Sequence, residues 1–231
     1  TILSPWQAEA ICPIGTNKWQ SLHNNPVPSG RAYRIDRPHG SINVFFYNHT
    51  LASGISFEHY LRNADRLYER ILSFRQNADP THLVNVATDG EVYGHHEPFG
   101  DMCLAMLTKL VRQRNDFDLT NYGRYLDLHP PTHLVKLKDG ERGLGTSWSC
   151  IHGVSRWYRN CGCTTGGPQE WNQEWRTPLR NGLNQLRDRL RTLYSNGIHA
   201  FSSHDPMETR NAYIDILTGS QSREDFARKY I

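Results

Sequence analysis

The chain has 231 residues, enough to bury the core of one domain, or of one domain with an appendage. Its 26 Lys and Arg residues nearly balance 23 Asp and Glu residues, and the net charge of +3 is spread without long like-charged runs, which argues against a nucleic-acid partner. No apolar stretch approaches the length of about 18 residues that a membrane span needs, and no signal-peptide pattern opens the chain, so no membrane partner is expected.

The cysteines bear on the compartment in which the protein works. Five cysteines cannot all pair within one chain, and three of them crowd into residues 150–163. This pattern favours a reducing compartment over a disulfide framework, so we expect a cytoplasmic protein whose sequon at Asn48 carries no glycan. The chain opens on the strand-like sequence 1–4 without an initiator Met, and we expect it to be the middle of a longer polypeptide.

Three short runs in the first part of the chain are predicted to be strands. They lie at residues 2–3, 42–47 and 83–87 and consist mainly of apolar, β-branched or aromatic residues. Because Gly40 precedes the second run and Gly90 follows the third, both of these runs are expected to be buried strands.

Helical patterns lie between and after these runs. Apolar residues recur at steps of three and four from 57 to 74, and again from 102 to 110. The alternation of strands and helices over residues 1–118 predicts βαβ units and a mainly parallel sheet, open or closed into a barrel. Ligands bind beyond the carboxyl ends of the strands in such sheets, so the residues just after Tyr47 and Ala87 are candidate site positions.

Residues 119–231 follow a different pattern and are predicted to be mainly helical. A short helix is expected at 121–128 and a long helix with an apolar stripe at 175–193. Two shorter helices are expected at 207–217 and 222–230.

Two long irregular stretches separate the predicted elements. Residues 13–41 and 143–174 each exceed the ~12–15 residues beyond which a structureless loop in a compact domain has a functional explanation, such as covering an active site. The apolar faces of the helices, including Met102 and Met106, are expected to lie in the core.

The segment after the third predicted strand carries the strongest candidates for catalysis. Asp89 and Glu91 lie there with two glycines and with the histidines His95 and His96. A carboxyl group shielded from water at the rim of a sheet favours its neutral form and can act as a general acid, which suits Asp89. The histidines suit sugar hydroxyls, a phosphate or a metal. The alternative is that Asp89 caps the next turn and the histidines face solvent.

Asp89 and Glu91 are not expected to form a complete glycosidase pair. The two carboxyls of such a pair flank the scissile bond, about 5–5.5 Å apart for retention and ~6.5–9.5 Å for inversion of configuration. Residues two apart on one segment approach from the same side, so the partner of Asp89 is expected at another strand end.

A second candidate region is rich in tryptophan. Four of the six tryptophans, among them Trp148 and Trp157, fall within residues 146–175. Indole rings pack against the C–H faces of sugar rings while the ring N–H bonds a hydroxyl, so this region favours an oligosaccharide or polysaccharide ligand. The alternative is that these rings only pin an irregular loop to the barrel.

The same region holds one set of possible metal ligands. The set combines a Cys-x-His and a Cys-x-Cys pair, formed by Cys150, His152, Cys161 and Cys163. Its spacing matches none of the common zinc finger or ribbon patterns, so a structural zinc bound through the three cysteines is a minor alternative to a loop without metal.

A metal-dependent hydrolase that uses Asp89, His95 and His96 as ligands is another alternative, because such sites also lie at strand ends of barrels. Two adjacent histidines point apart in an extended segment, which speaks against it. The main interpretation therefore includes no cofactor and no metal.

Five strings in the chain resemble glycoside hydrolase family 57, and within it the long proteins that carry a DUF3536 domain. The strings span most of the chain in the expected order and lie at residues 1–8, 45–57, 87–96, 146–153 and 171–179. The resemblance implies an alpha-amylase-like retaining enzyme acting on α-glucans, on an incomplete seven-stranded (β/α) barrel. Residues 1–118 would then be the C-terminal part of this partial (β/α)7-type barrel, and residues 119–231 a helical region with the Trp/Cys-rich loop over the active site.

The resemblance also implies roles for individual residues. The family's general acid/base, in an Asp-Gly-Glu motif, transfers to Asp89, and Glu91 would support it. The family's His-Gly motif transfers to His152 and Gly153 and implies substrate contact. With Trp148, Trp157, His95 and His96 these residues form the predicted substrate-binding set.

One departure from the family limits the expected activity of this segment. The family's nucleophile is a Glu on a strand that precedes the start of this chain, so we expect an upstream barrel segment of the same protein to complete the site. Since two carboxylates act as one unit, the segment alone is expected to be inactive. A carbohydrate-binding module that has given up catalysis is the alternative from another functional class. Hydrolysis, transglycosylation and branching all stay open.

Overall fold

The structure is a computed structural model that describes residues 1–75, 79–163 and 166–231. The chain divides into two compact units, residues 1–154 and residues 155–231. Among the described residues, the first unit contains a sheet and four α-helices, and the second contains four further α-helices. Within the described parts of the chain, no helix is both long and apolar enough to cross a membrane.

The sheet of the first unit has six strands in the order β1-β5-β4-β6-β2-β3. The strands are β1 (Ile2–Leu3), β2 (Ala8–Pro13), β3 (Gln20–Ser21), β4 (Ala32–Arg37), β5 (Gly40–Phe46) and β6 (His133–Leu137). Strand β5 pairs in parallel with β1, and β4 pairs in parallel with β6. The other three pairings are antiparallel.

The expectation of a mixed α/β fold is confirmed, but three details of it are wrong. The sheet is mixed rather than mainly parallel, because β4 and β5 form an antiparallel hairpin whose turn is Pro38 and His39. The stretch 13–41 is not irregular, since it includes β3 and β4. The apolar run 83–87 is not part of a ladder in the described structure, although strands at 2–3 and 42–46 are present as predicted.

The helices are α1 (His49–Phe57), α2 (Ala64–Ser73), α3 (Gly100–Arg114), α4 (Tyr122–Leu128), α5 (Arg176–His199), α6 (Pro206–Ala212), α7 (Ile214–Leu217) and α8 (Arg223–Tyr230). The predicted helices are present with shifts at their ends, but α1 was not predicted, and the single helix expected at 207–217 is divided into α6 and α7. The periodic stretch 57–74 holds the end of α1 and all of α2, because His59 adopts a left-handed conformation and the side chain of Asn63 caps α2. The stretch 143–174 lacks long elements as predicted, apart from residues 164–165, which lie outside the described residues.

The core lies on both faces of the sheet and between the helices. One face buries Tyr33, Val44 and Phe46. On the opposite face, Phe45 packs with Tyr125 of α4, as expected from the alternation of side chains along β5. A separate helical cluster joins α1, α2 and α3.

The prediction that all helical apolar faces lie in the core is wrong for this structure. Met102 of α3 is 63% exposed and Met106 is 39% exposed. Five leucines of α5 are each at least half exposed: Leu179, Leu183, Leu186, Leu190 and Leu193. Helical periodicity identifies the apolar stripe correctly, but it carries no information about what covers the stripe.

The run 83–87 is held beside the end of β5 by the amide of Asn85. This buried side chain donates hydrogen bonds to the carbonyls of Ser29 and Phe46, both at 3.1 Å. Its oxygen accepts a bond from the hydroxyl of Tyr122 at 3.3 Å. The backbone carbonyl of Asn85 also accepts a bond from the N–H of Asn48 at 2.8 Å. A single polar residue thus joins the loop before β4, the end of β5, α4 and the run 83–87.

We expect Asn85→Ala to lower the free energy of unfolding by about 1–3 kcal/mol, because it removes the donor to the buried carbonyl of Phe46 and to the partly buried carbonyl of Ser29. Denaturant titration followed by circular dichroism measures this change. Tyr122→Phe is the matched control, since it removes only the long bond to Asn85 and should cost at most about 1 kcal/mol. Equal stability of Asn85→Ala and the unsubstituted protein would contradict the role given to this amide.

Candidate active site

The carboxyl ends of β1, β5 and the run 83–87 meet at one edge of the first unit. Because β1 and β5 are parallel, Ser4 and Tyr47 follow them on the same side. The bond from Asn48 to Asn85 brings the third segment to this edge. The rings of Trp6 and His49 meet here edge to face, with centroids 6.4 Å apart. The edge therefore presents aromatic and polar groups next to the segment that leads into Asp89.

Asp89 begins a compact loop, residues 88–97, which we call the Asp89 loop. A single turn of 3-10 helix, Gly90–Val92, follows Asp89 directly. The hydroxyls of Thr88 and Tyr93 lie 2.9 Å apart and close the loop. The side chain of Asp89 is exposed and makes no capping bond to this turn. Asp89 thus stands at the N-cap position of the turn, as the alternative interpretation expects, but its side chain does not bond the turn, and its carboxylate is accessible to a ligand.

Two buried residues fix the Asp89 loop to the helices. Val92 packs into the cluster formed by α1, α2 and α3. Glu97, at the end of the loop, is 7% exposed and accepts a hydrogen bond from Arg62 Nε at 2.8 Å and another from His59. The bonds from Arg62 and His59 keep the pKa of Glu97 below its usual value, although burial opposes the shift. The sequence analysis missed Glu97, because an isolated Glu carries no signal of burial.

Glu91, His95 and His96 lie on the exposed side of the loop. His96 Nε2 is 3.5 Å from Glu91 Oε2, and the two imidazole rings meet edge to face with centroids 4.8 Å apart. Among the described residues, Asp89, His95 and His96 do not form a group whose ligand atoms lie close enough to share a metal ion. The structure therefore gives no support to the alternative of a metal-dependent hydrolase based on these three residues.

The tryptophan-rich stretch begins beside the carboxyl end of β1. Gln7, in the turn after β1, donates from Nε2 to Thr146 Oγ1 at 3.1 Å. Trp148 follows and is 65% exposed. Gly153, directly after His152, has a φ of +64°, and its N–H bonds the carbonyl of Cys150 at 3.0 Å in a tight turn. These contacts place the start of the stretch at the same edge as the Asp89 loop.

Trp157 belongs to the second unit. Its indole is 56% exposed, with the guanidinium of Arg156 5.4 Å from its ring centroid, and Arg180 Nη2 donates to its carbonyl at 3.2 Å. Trp171 and Trp175 are also more than half exposed. The alternative that these rings only pin a loop is not supported, because an indole that anchors a loop is covered by it.

Residues 17–138, just over half of the chain, match the model for glycosyl hydrolase family 57. The chain belongs to glycosyl hydrolase family 57. Residues 171–231 match a second model, described as a domain of unknown function, DUF3536. No curated protein matches the chain.

The family 57 match includes the candidate residues of the Asp89 loop but not those of the tryptophan-rich stretch. The resemblance inferred from the sequence is confirmed, and family membership supports a glycan-active enzyme with a carbohydrate substrate. Asp89, Glu91, His95 and His96 lie within the region that matches family 57. Residues 139–170, which include Trp148 and His152, lie between the two matched regions.

The ion pairs of Glu97 predict a pH effect on stability. The pKa of Glu97 lies below its ordinary value of 4.5 in the folded protein, so its contribution is present above that value and is lost as pH falls through the folded pKa. We expect Glu97→Gln to be less stable than the unsubstituted protein at pH 7. We also expect it to lose less stability on acidification from pH 5 to about 3.

Denaturant titrations at a series of pH values measure this effect. Glu91→Gln is the matched control, since Glu91 lies in the same loop but is exposed. It should leave both the stability and its pH dependence nearly unchanged. Parallel pH profiles for Glu97→Gln and the unsubstituted protein would refute the assignment of Glu97 as the anchor of the loop.

Proposed function

We propose that this protein is a retaining glycoside hydrolase or transglycosylating enzyme that acts on α-glucans, with Asp89 as its general acid/base. The observation that carries the proposal is the placement of Asp89. Its carboxylate is exposed and uncapped, at the carboxyl end of the run 83–87, in a loop whose other end is fixed by buried Val92 and Glu97. A reactive group on an anchored loop keeps its position relative to the substrate.

Asp89 has two tasks in this mechanism. In the first step its protonated form donates a proton to the glycosidic oxygen as the bond to the leaving sugar breaks. In the second step its carboxylate removes a proton from the water or sugar hydroxyl that attacks the covalent intermediate. The accessible position of Asp89 suits both steps, because leaving group and acceptor must each reach it.

The nucleophile is assigned to a carboxylate outside the Asp89 loop. Glu91 is two residues from Asp89 and lies across a single helical turn, whereas a retaining pair attacks from opposite sides of the sugar at a separation of about 5–5.5 Å. Glu91 instead supports Asp89 by holding negative charge near it, and His96 lies beside Glu91 at 3.5 Å. We propose that a barrel segment upstream of this chain supplies the nucleophile.

The proposed scaffold is a partial (β/α)7-type barrel to which β1, β5 and the run 83–87 contribute neighbouring strands. The parallel pairing of β1 with β5 and the bond between Asn48 and Asn85 support this arrangement. Residues 119–231 are the proposed helical region, although they also include strand β6, which belongs to the sheet of the first unit. The proposed boundary at residue 118 follows the end of α3, whereas the two compact units of the structure divide at residues 154 and 155.

The substrate platform of the proposal consists of aromatic rings and imidazoles. Trp148 and Trp157 offer exposed indole faces on which sugar rings stack. His95, His96 and His152 supply donors for hydroxyls, and Gly153 lets the backbone turn closely behind His152.

The test is Asp89→Asn in the enzyme expressed from its whole gene, with turnover of an α-glucan as the measurement. Loss of the general acid should lower turnover by about 10²–10⁴-fold. The loss should be smaller on an aryl α-glucoside, because an acidic phenol departs without protonation. Asp101→Asn is the matched control, since Asp101 is an exposed Asp of the same unit at the first turn of α3.

Two outcomes would reject the proposal. Unchanged turnover of Asp89→Asn on every α-glucan that the enzyme processes would exclude Asp89 as the acid/base. If the unsubstituted enzyme binds α-glucans but turns none of them over, the protein is a carbohydrate-binding module instead.

A further inference from the structure

Four thiol and imidazole side chains come together within the short segment 150–163. Cys150, His152, Cys161 and Cys163 each offer one ligand atom, and these atoms all lie within 4.8 Å of one another. Cys150 Sγ lies 3.7 Å from His152 Nδ1. It is the only group of three or more possible ligands found among the described residues.

The spacing of these atoms fits a tetrahedral zinc ion. With Zn–S bonds of about 2.3 Å and Zn–N bonds of about 2.0–2.1 Å, the ligand atoms of a tetrahedral site lie about 3.6 Å apart for S and N and about 3.8 Å apart for two S atoms. The observed distance of 3.7 Å from Cys150 Sγ to His152 Nδ1 agrees with the expected distance between S and N, which is about 3.6 Å. The widest pair, at no more than 4.8 Å, would close by about 1 Å around the ion.

Two local turns place the ligands in pairs. Gly162, between Cys161 and Cys163, has a φ of +84°, a conformation that favours glycine, and its N–H bonds Asn160 Oδ1 at 3.2 Å. The turn at Gly153 folds the backbone after Cys150 and His152 in the same way. Each turn is set by the local sequence.

The surroundings of Cys163 support a fixed ligand. Gln173, which is 9% exposed, donates from Nε2 to the carbonyl of Cys163 at 2.9 Å. Hydrogen bonds of this kind hold the ligands of metal sites in place. Cys150 is buried, whereas Cys161 and Cys163 are half-buried, so an ion could enter from the side of the latter pair.

We propose that Cys150, His152, Cys161 and Cys163 bind one structural Zn²⁺ ion. Three thiolates and one imidazole select zinc over magnesium or calcium, which prefer oxygen ligands. Four protein ligands complete a tetrahedron and leave no position for a reactive water, so the ion has a structural rather than a catalytic role. It would hold the segment 150–163 in one conformation.

This site is independent of the proposed function. It lies in residues 139–170, which neither family model covers, and it is tested without an activity assay. It is also compatible with substrate contact by His152. If Nδ1 binds the ion, Nε2 keeps its proton and can still donate to a sugar hydroxyl.

The first experiment measures zinc in the unsubstituted protein, purified under reducing conditions from zinc-supplemented cells and then desalted. We expect one zinc per chain by elemental mass spectrometry, which a strong chelator removes with loss of stability. Replacement by Co²⁺ should give the visible absorption of a tetrahedral thiolate site. A protein that holds no zinc and whose cobalt form lacks this absorption would refute the site without recourse to any variant.

Variants then assign the ligands. Cys161→Ser and Cys163→Ser should each lose at least tenfold in zinc affinity, and Gln173→Ala should lose about 10–100-fold if its bond to Cys163 supports the site. Cys12→Ser and Cys103→Ser are matched controls, because Cys12 lies in β2 and Cys103 in the helical cluster. Both should keep one zinc per chain.

Two results with the variants would also overturn the proposal. Zinc affinity that is unchanged in Cys161→Ser and Cys163→Ser would place the ion elsewhere. The second result concerns protein purified without reductant. If its intact mass is lower by two hydrogens, and if the protein binds no zinc even after reduction, the cluster forms a disulfide instead.

Discussion

The buried amide of Asn85 is the interaction on which the geometry of this protein depends most. Its buried side chain donates hydrogen bonds to the carbonyls of Ser29 and Phe46 and accepts one from the hydroxyl of Tyr122. A buried carbonyl without a donor costs more than an ordinary hydrogen bond contributes, so these groups specify one position for the run 83–87. This position in turn determines where the chain leaves the sheet edge and where the Asp89 loop begins.

The Asp89 loop separates the groups that hold it from the groups that can react. Val92 and Glu97 are buried against the helices, whereas Asp89, Glu91, His95 and His96 are exposed. The ion pairs of Glu97 with Arg62 and His59 fix the far end of the loop without using the carboxylate of Asp89. A loop anchored at its ends presents its polar side chains in a defined direction, as a glycan-binding edge requires.

The Cys/His cluster and two exposed tryptophans lie in or next to one short segment. The turns at Gly153 and Gly162 bring four ligand atoms together, and an ion there would hold the segment without a packed core. Trp148 precedes this segment, Trp157 lies within it, and both are exposed. Segments rich in Gly and Cys bury little apolar surface, so a metal is a natural source of the rigidity that ring stacking needs.

The sequence by itself determined the elements whose signals are local. Apolar runs identified β1 and β5, helical periodicity identified α3 and α5, and Asn121 and Ser222 begin α4 and α8 as capping residues. The motif around Asp89 and the resemblance to glycosyl hydrolase family 57 were also legible in the sequence. Strand β2 could have been found as well, since Ala8, Ala10 and Cys12 alternate with less buried residues.

Only the tertiary structure decided how distant parts of the chain meet. Strand β4 carries Arg34, Asp36 and Arg37 and was missed, because its place in the sheet comes from pairing with β5 and β6 rather than from apolar composition. The burial of Glu97 and Asn85, the exposure of the α5 leucines and the closeness of Cys150 to Cys161 depend on contacts between residues far apart in sequence. Local patterns cannot report such contacts, because each residue type is compatible with several environments until its neighbours are in place.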